Sequence, residues 1–258
     1  MPEHAFYQSQ DDEVEMFYYA LENDLALLLK GPTGCGKTRF VEHMSTQINR
    51  PLFTISCHDD LSAADLIGRH LVNSDGTYWQ DGPLTRAVRH GGICYLDEII
   101  EARKDTTVVL HSLTDHRREL HIERTGEVIK AHKDFMLIVS YNPSYQSMLK
   151  GLKPSTRQRF VGLSFDYLPA ENEANIIVQE TGICAEKARQ LVTLATDIRR
   201  LNGIDLKAAA STRLLVYAAK MIQSGCPINK AYQYCIVEPL TDEPETIKAL
   251  KRVIYAYC

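Results

Sequence analysis

Gly31-Pro32-Thr33-Gly34-Cys35-Gly36-Lys37-Thr38 follows directly on the apolar run Leu25-Ala26-Leu27-Leu28-Leu29, and this junction decides how the rest of the 258-residue chain is read. A short apolar run that ends in G-x-x-x-x-G-K-T reads as a buried strand delivering the chain to a phosphate cradle. The glycines let backbone N–H groups close on phosphate oxygens, and the helix that opens beyond them adds the positive end of its dipole. Lys37 is then placed to bridge the β- and γ-phosphates, and Thr38 to offer its hydroxyl to Mg²⁺. An accidental match would need four fixed positions out of eight, on the order of once per hundred chains of this length. The expectation is a binder of nucleoside triphosphate.

Working outward, 45% hydrophobic and 24% charged residues allow a sizeable core, divided between a larger and a smaller domain. A formal charge of -4 gives no electrostatic reason for a polyanion as main partner, so nucleic-acid work is disfavoured. The seven cysteines, Cys35, Cys57, Cys94, Cys184, Cys226, Cys235 and Cys258, are odd in number and lack C-x-x-C spacing. They read as buried, reduced thiols. No apolar run approaches the roughly 18 residues of a membrane span, and Met1 to Glu15 is polar and acidic where a leader is basic and then apolar. A cytoplasmic protein without membrane contact is expected.

Further apolar runs, Pro51 to Cys57, Ile93 to Asp97, Phe135 to Tyr141 and Phe160 to Phe165, alternate with helical periods. That alternation predicts an α/β fold with a mostly parallel sheet. From Pro169 the pattern turns to amphipathic helices, such as Ala185 to Leu201 and Thr212 to Gln223, broken by Gly182, Gly203, Gly225 and Pro227. The expected division is residues 1–168 as the α/β domain and 169–258 as a helical one. Two excursions interrupt the alternation. Asn73-Ser74-Asp75-Gly76 between Leu71-Val72 and Thr77-Tyr78-Trp79, and Arg124-Thr125-Gly126-Glu127 between Leu120-His121-Ile122 and Val128-Ile129, both read as hairpins. The acidic Asp11-Asp12-Glu13 before Met16-Phe17-Tyr18-Tyr19 is either a helix packed on the core or a subunit contact.

Ile93-Cys94-Tyr95-Leu96 runs into Asp97-Glu98, an apolar strand ending in two carboxylates, expected to finish beside the phosphate loop. This is a Walker B pattern: Asp97 for the Mg²⁺ shell, Glu98 as the general base that orients water. Asn142, at the end of the strand from Phe135, is either a sensor of the γ-phosphate or a turn residue before Pro143. Arg157 and Arg159 are candidate fingers acting on a neighbouring subunit's phosphate, or solvated surface arginines. Arg213, on a helix that Ser211 or Thr212 would cap, either reaches back to the nucleotide or makes a surface ion pair.

In this order the motifs resemble an AAA+ ATPase over nearly the whole chain. The resemblance implies a five-stranded, mostly parallel sheet with helices on both faces, two inserted hairpins and an all-helical lid. The hairpin after Ala64-Asp65-Leu66-Ile67-Gly68-Arg69 and the one before Phe135 resemble the pore-lining insertions of the MoxR branch. Within it, Gly31 to Phe40 and Tyr95-Leu96-Asp97-Glu98-Ile99 are similar to the CbbQ/NirQ/NorQ group, most of all to CbbQ. That implies a Mg-ATP site made of Gly31 to Thr38 with Arg39, of Asp97, Glu98 and Asn142, and of Arg213 as sensor 2. Arg159, directly before Phe160, is implied as the finger, with Arg157 beside it as the second candidate. It further implies a homo-hexameric motor working with a von Willebrand factor A-domain adaptor (CbbO-like). The client would be rubisco, freed of tight-binding sugar phosphates, or alternatively nitric-oxide reductase, whose metal centre is assembled. A P-loop small-molecule kinase is the reading from another class, disfavoured by Arg213 and the hairpins.

Overall fold

The computed structural model describes residues 6–74, 76–145, 152–201 and 209–257. It divides between Ser164 and Phe165 into two compact units, with the loop segment Pro32–Gly36 and residues 6–8 going with the second.

The first unit is built on five strands that pair only in parallel: β1 (Leu27–Lys30), β2 (Leu52–Ser56), β5 (Gly92–Asp97), β8 (Phe135–Tyr141) and β9 (Val161–Ser164), in the order β2-β5-β8-β1-β9. The β5 strand therefore does not neighbour β1. The fully buried β8 lies between them, pairing Ile138 with Leu27 on one side and Tyr95 on the other. Strands buried on both faces carry continuous apolar runs, which is why β5 and β8 show no polar alternation.

The helices of this unit are α1 (Glu13–Glu22), α2 (Lys37–Gln47), α3 (Ala63–Ile67), α4 (Pro83–His90), α5 (Lys104–Val109) and α6 (Pro154–Arg157). One sheet face puts Leu28, Cys94, Leu96, Leu137 and Val139 into a core with Leu84, Ala87 and Val88 of α4. Alternation turns Leu27, Leu29, Ile93, Tyr95 and Ile138 to the other face, where α2 supplies Phe40, Val41 and Met44, all buried. The acidic N-terminal segment belongs to this second layer. Phe17 of α1 is fully buried and meets Phe40 edge-on at 5.9 Å, while Glu13 accepts the Gln10 and Asp11 N–H groups at 2.8 Å each.

Both hairpins form: β3 (Gly68–Asn73) with β4 (Gly76–Asp81), and β6 (Glu119–Ile122) with β7 (Glu127–Lys130). Val72 on the first is 80% exposed and Val128 on the second 53% exposed. They are tied together by one side chain. Arg89 of α4 donates to Asp81 at 3.0 Å and forks onto both oxygens of Glu127 at 2.8 and 3.0 Å.

The second unit holds α7 (Ala170–Thr181), α8 (Ala185–Arg200), α9 (Thr212–Gln223), α10 (Ile228–Tyr232) and α11 (Pro244–Tyr255) around a core of its own. In α8 the buried positions Ala188, Leu191, Val192, Ala195 and Ile198 follow the helical period and form the stripe that core requires. Helix α7 ends because Gly182 takes a left-handed conformation (φ 71°) and donates to the Val178 carbonyl at 2.8 Å. Ser211 stands at the N-cap of α9 without a side-chain capping bond. Gly203 lies outside the described residues, as does Cys258. Of the other cysteines, all free, Cys35, Cys57 and Cys94 are buried and Cys226 and Cys235 half-buried, while Cys184 is exposed at the start of α8 and departs from the reading of buried thiols. Among the described residues no helix is long and apolar enough to cross a membrane.

Candidate active site

The C-terminal ends of β1, β5 and β8 bring Lys37, Thr38, Asp97, Glu98 and Asn142 into one cluster of the first unit. Ligands of open parallel sheets bind at this edge. Lys37, 6% exposed, donates its ammonium to the Gly31 carbonyl at 2.8 Å, so a buried cation already stands where the loop leaves β1. Thr38, one residue on, places its hydroxyl 3.4 Å from Asp97 Oδ2. A hydroxyl beside a carboxylate is the hard oxygen pair that Mg²⁺ takes, so these residues fit that ion.

Glu98 occupies the left-handed region (φ 54°, ψ 50°), an uncommon conformation for a residue other than glycine. Ser140 of β8 and Asn142, just beyond that strand, hold it there. The Glu98 N–H donates to Ser140 Oγ at 3.2 Å, and Glu98 Oε2 accepts the Asn142 N–H at 3.3 Å. Burial, more than the Asp97 charge, pushes the Glu98 carboxyl above the ordinary glutamate range, while Lys37 pulls it back. Asn142 is buried, and its Oδ1 accepts the Ser144 N–H at 3.0 Å. It thus makes the turn read in the sequence and also stands beside Glu98. Burial, then the negative charges of Asp97 and Glu98, push the Cys57 thiol up to about 12, so it stays protonated.

The arginines separate. Arg159 donates to the His111 carbonyl at 3.3 Å and lies 3.7 Å from Asp115, while Arg157, at the end of α6, is exposed. Arg213 is in the second unit, exposed on α9 and without an ion pair among the described residues. In that unit the loop glycine Gly34 (φ 74°) leaves no room for a side chain. A Cβ there would stand 2.6 Å from Ser211 Cβ and 3.6 Å from Arg213 Cβ. The Thr33 carbonyl accepts the Tyr167 hydroxyl at 3.1 Å, and Arg199 lies over the Tyr167 ring at 3.9 Å. Arg199 also forks onto the fully buried Glu173 at 2.7 and 2.8 Å, and the Thr212 hydroxyl donates to the same carboxylate at 2.6 Å. That is where the Thr212 hydroxyl goes instead of capping α9.

Sequence reasoning missed Tyr95 and Ser140, whose hydroxyls lie 2.8 and 2.5 Å from Asp97 Oδ1. A signal was available: Tyr95 stands two residues before Asp97, hence on the same face of β5, and Ser140 interrupts the apolar run of β8. Nothing local in the sequence marks Glu173 as buried.

Comparison with known proteins gives this arrangement a lineage. A model of the AAA domain (dynein-related subfamily) matches residues 26–160, and the CbbQ/NirQ/NorQ C-terminal model matches residues 173–257. The denitrification regulatory protein NirQ of Stutzerimonas stutzeri is 57% identical over 99% of this chain and 93% of its own length. Protein NorQ of Paracoccus denitrificans is 57% identical over 95% of this chain and 91% of its own. Protein CbbQ of Hydrogenophilus thermoluteolus is 50% identical over 95% and 92%. The leaning towards CbbQ is corrected by these figures, since NirQ and NorQ are at least as similar. A variant of Thermotoga maritima RuvB, 16% identical, superposes with a TM-score of 0.60 over 96% of this chain and 71% of that one, a likeness of fold alone. AAA membership supports an ATPase-type enzyme that binds nucleotide, and the relatives give the small-molecule kinase reading no support. With both halves of the chain matched, it belongs to the CbbQ/NirQ/NorQ group of AAA-domain proteins.

Proposed function

We propose that the chain is an ATP-driven remodelling motor that acts as a homo-hexameric ring on a metabolic enzyme. The observation that carries this reading is Glu98, a carboxylate held in a left-handed backbone between Asp97 and Asn142, because a protein that only bound nucleotide would need no such base. Residues 1–168 serve as the nucleotide-binding domain and 169–258 as its lid. Gly31 to Thr38, with Arg39, hold the phosphates of ATP, Lys37 neutralises the β- and γ-oxygens, and Thr38 and Asp97 hold Mg²⁺. When bound, the ion neutralises phosphate charge as the γ-phosphoryl group leaves. Glu98 orients the attacking water and takes its proton, and the Asn142 amide reads the γ-phosphate.

Arg213 reaches the nucleotide from the lid, and Arg159, with Arg157, reaches a neighbouring subunit's phosphate. Loss of the γ-phosphate moves the lid and the hairpins that Arg89 couples, so the exposed Val72 and Val128 faces work on the client. A von Willebrand factor A-domain adaptor selects that client.

The identities favour a denitrification client first, with maturation of nitric-oxide reductase as the reading; rubisco activation stands second, on the 50% identity to CbbQ. The test is ATPase rate against protein concentration for the chain co-expressed with its adaptor, with Arg159→Ala and Arg157→Ala as controls. Each client is supplied in turn, inactive nitric-oxide reductase or inhibited rubisco. A rate that rises with assembly and falls with either arginine, together with recovery of one client, supports the motor and names that client. A concentration-independent rate indifferent to both arginines and both clients overturns it.

A further inference from the structure

We infer that Tyr95 is a positioning residue for the metal-binding pair Thr38 and Asp97, an inference that rests on the Mg-ATP reading of the cluster. Tyr95 is fully buried in β5, where a phenol is retained only if its oxygen has partners. It has three. The oxygen lies 2.8 Å from Asp97 Oδ1, 3.1 Å from Ser140 Oγ and 3.3 Å from Thr38 Oγ1.

A phenol has one proton to give, and both routes lead it to the same carboxylate oxygen. It goes to Oδ1 directly, or through Ser140, whose own hydroxyl donates to Oδ1 at 2.5 Å. Either way Oδ1 accepts from at least one hydroxyl, the carboxylate plane is held, and Oδ2 is left facing Thr38. The phenol oxygen also has lone pairs to offer. A Thr38 hydroxyl that turns its oxygen towards a cation must send its proton elsewhere, and the Tyr95 oxygen at 3.3 Å is an acceptor that spares Oδ2. Ser140 adds one more link, because its Oγ takes the Glu98 N–H at 3.2 Å and so ties the metal carboxylate to the backbone of the general base. Phenylalanine would fill the same space and do none of this.

The test is the affinity of the full-length chain for ATPγS, titrated once with Mg²⁺ and once with EDTA. The wild type should bind more tightly with Mg²⁺. In Tyr95→Phe that gain should shrink about tenfold, the size expected when a group that orients a metal ligand is lost, while affinity in EDTA stays within about twofold. Ser140→Ala removes the other donor to Oδ1 and should shrink the gain in the same direction, giving a reading even if Tyr95→Phe does not fold. A Mg²⁺ gain unchanged in Tyr95→Phe, or in Ser140→Ala where only that variant folds, overturns the role of Tyr95 and leaves the Mg-ATP reading standing. If the wild type itself binds equally with and without Mg²⁺, the Mg-ATP reading falls and takes this inference with it.

Discussion

Each unit of the molecule buries a polar cluster, and the two clusters are wired differently. In the helical unit the Glu173 carboxylate is filled on both oxygens, by the Arg199 fork and the Thr212 hydroxyl, and Arg199 Nε donates to the Ala210 carbonyl at 2.7 Å. In the α/β unit Asp97 is filled on Oδ1 only, while Oδ2 meets the distant Thr38 hydroxyl. Glu98 beside it is burdened by burial and by a left-handed backbone. A closed cluster fixes a structure, whereas one with an oxygen left over is prepared for something that arrives later. The difference separates residues that the molecule needs in order to fold from residues it needs in order to act.

Breaking each cluster should therefore move a different observable. The largest effect is expected from Glu98→Gln, which should lower ATP hydrolysis by about 10²- to 10⁴-fold while ATP binding persists. The sign of its effect on stability follows from the raised carboxyl. An acid whose folded pKa lies above its unfolded one costs stability as pH rises through that range, so the amide should unfold no more easily than wild type at neutral pH. The same shift predicts that hydrolysis falls as the solution is acidified through a pKa above the ordinary glutamate range. A rate profile that stays flat down to that range would deny Glu98 its role as base.

Next, Glu173→Ala should cost about 3–5 kcal/mol in chemical denaturation, because it leaves the Arg199 guanidinium, mostly buried, without its counter-charge. Replacing both partners by methionine should recover much of that loss. Recovery would mark the pair as structural, and a double variant that folds yet hydrolyses no ATP would make the helical unit's cluster part of the machinery. Thr212→Val, which removes one of three donors, should cost about 1 kcal/mol by the same measurement.

The smallest effect is expected outside both clusters. The Arg89 fork holds the Glu127 carboxyl below the usual range, so its contribution is present above the unfolded glutamate pKa and is lost as pH falls. The pair is solvent-facing, so Glu127→Gln should change stability by no more than about 0.5 kcal/mol and flatten that acid dependence.

The parts of this design that use local patterns were legible in the sequence. The β8 strand runs over the residues expected of it, Thr212 to Gln223 forms the expected helix, and both hairpins lie where their turn residues put them. What was not legible is long-range. The insertion of β8 between β1 and β5 depends on pairings more than 40 residues apart in sequence, and the ion pair of Glu173 with Arg199 bridges two helices through a buried face. In the site, the motif residues announced themselves, whereas Tyr95 and Ser140 read as strand filler until β5 and β8 were neighbours. The assignment of Pro32–Gly36 to the helical unit is likewise a property of contacts and not of a composition break.

The strand order also governs when this protein can be finished. β1 carries the chain into the phosphate loop, yet its partners β8 and β9 are synthesised last of the sheet, with Leu27 paired to Ile138 and Val161. On a ribosome the first strand must wait for more than a hundred residues before either neighbour exists. Closing contacts at that separation is what slows folding. Until then the nascent chain carries Leu25 to Leu29 as an uncovered apolar segment, a natural target for chaperone capture. Competence to bind nucleotide should thus appear abruptly, after residue 164 has left the exit tunnel; truncations ending before β8 should leave β1 without either partner, and those ending before β9 should be unable to bind ATP.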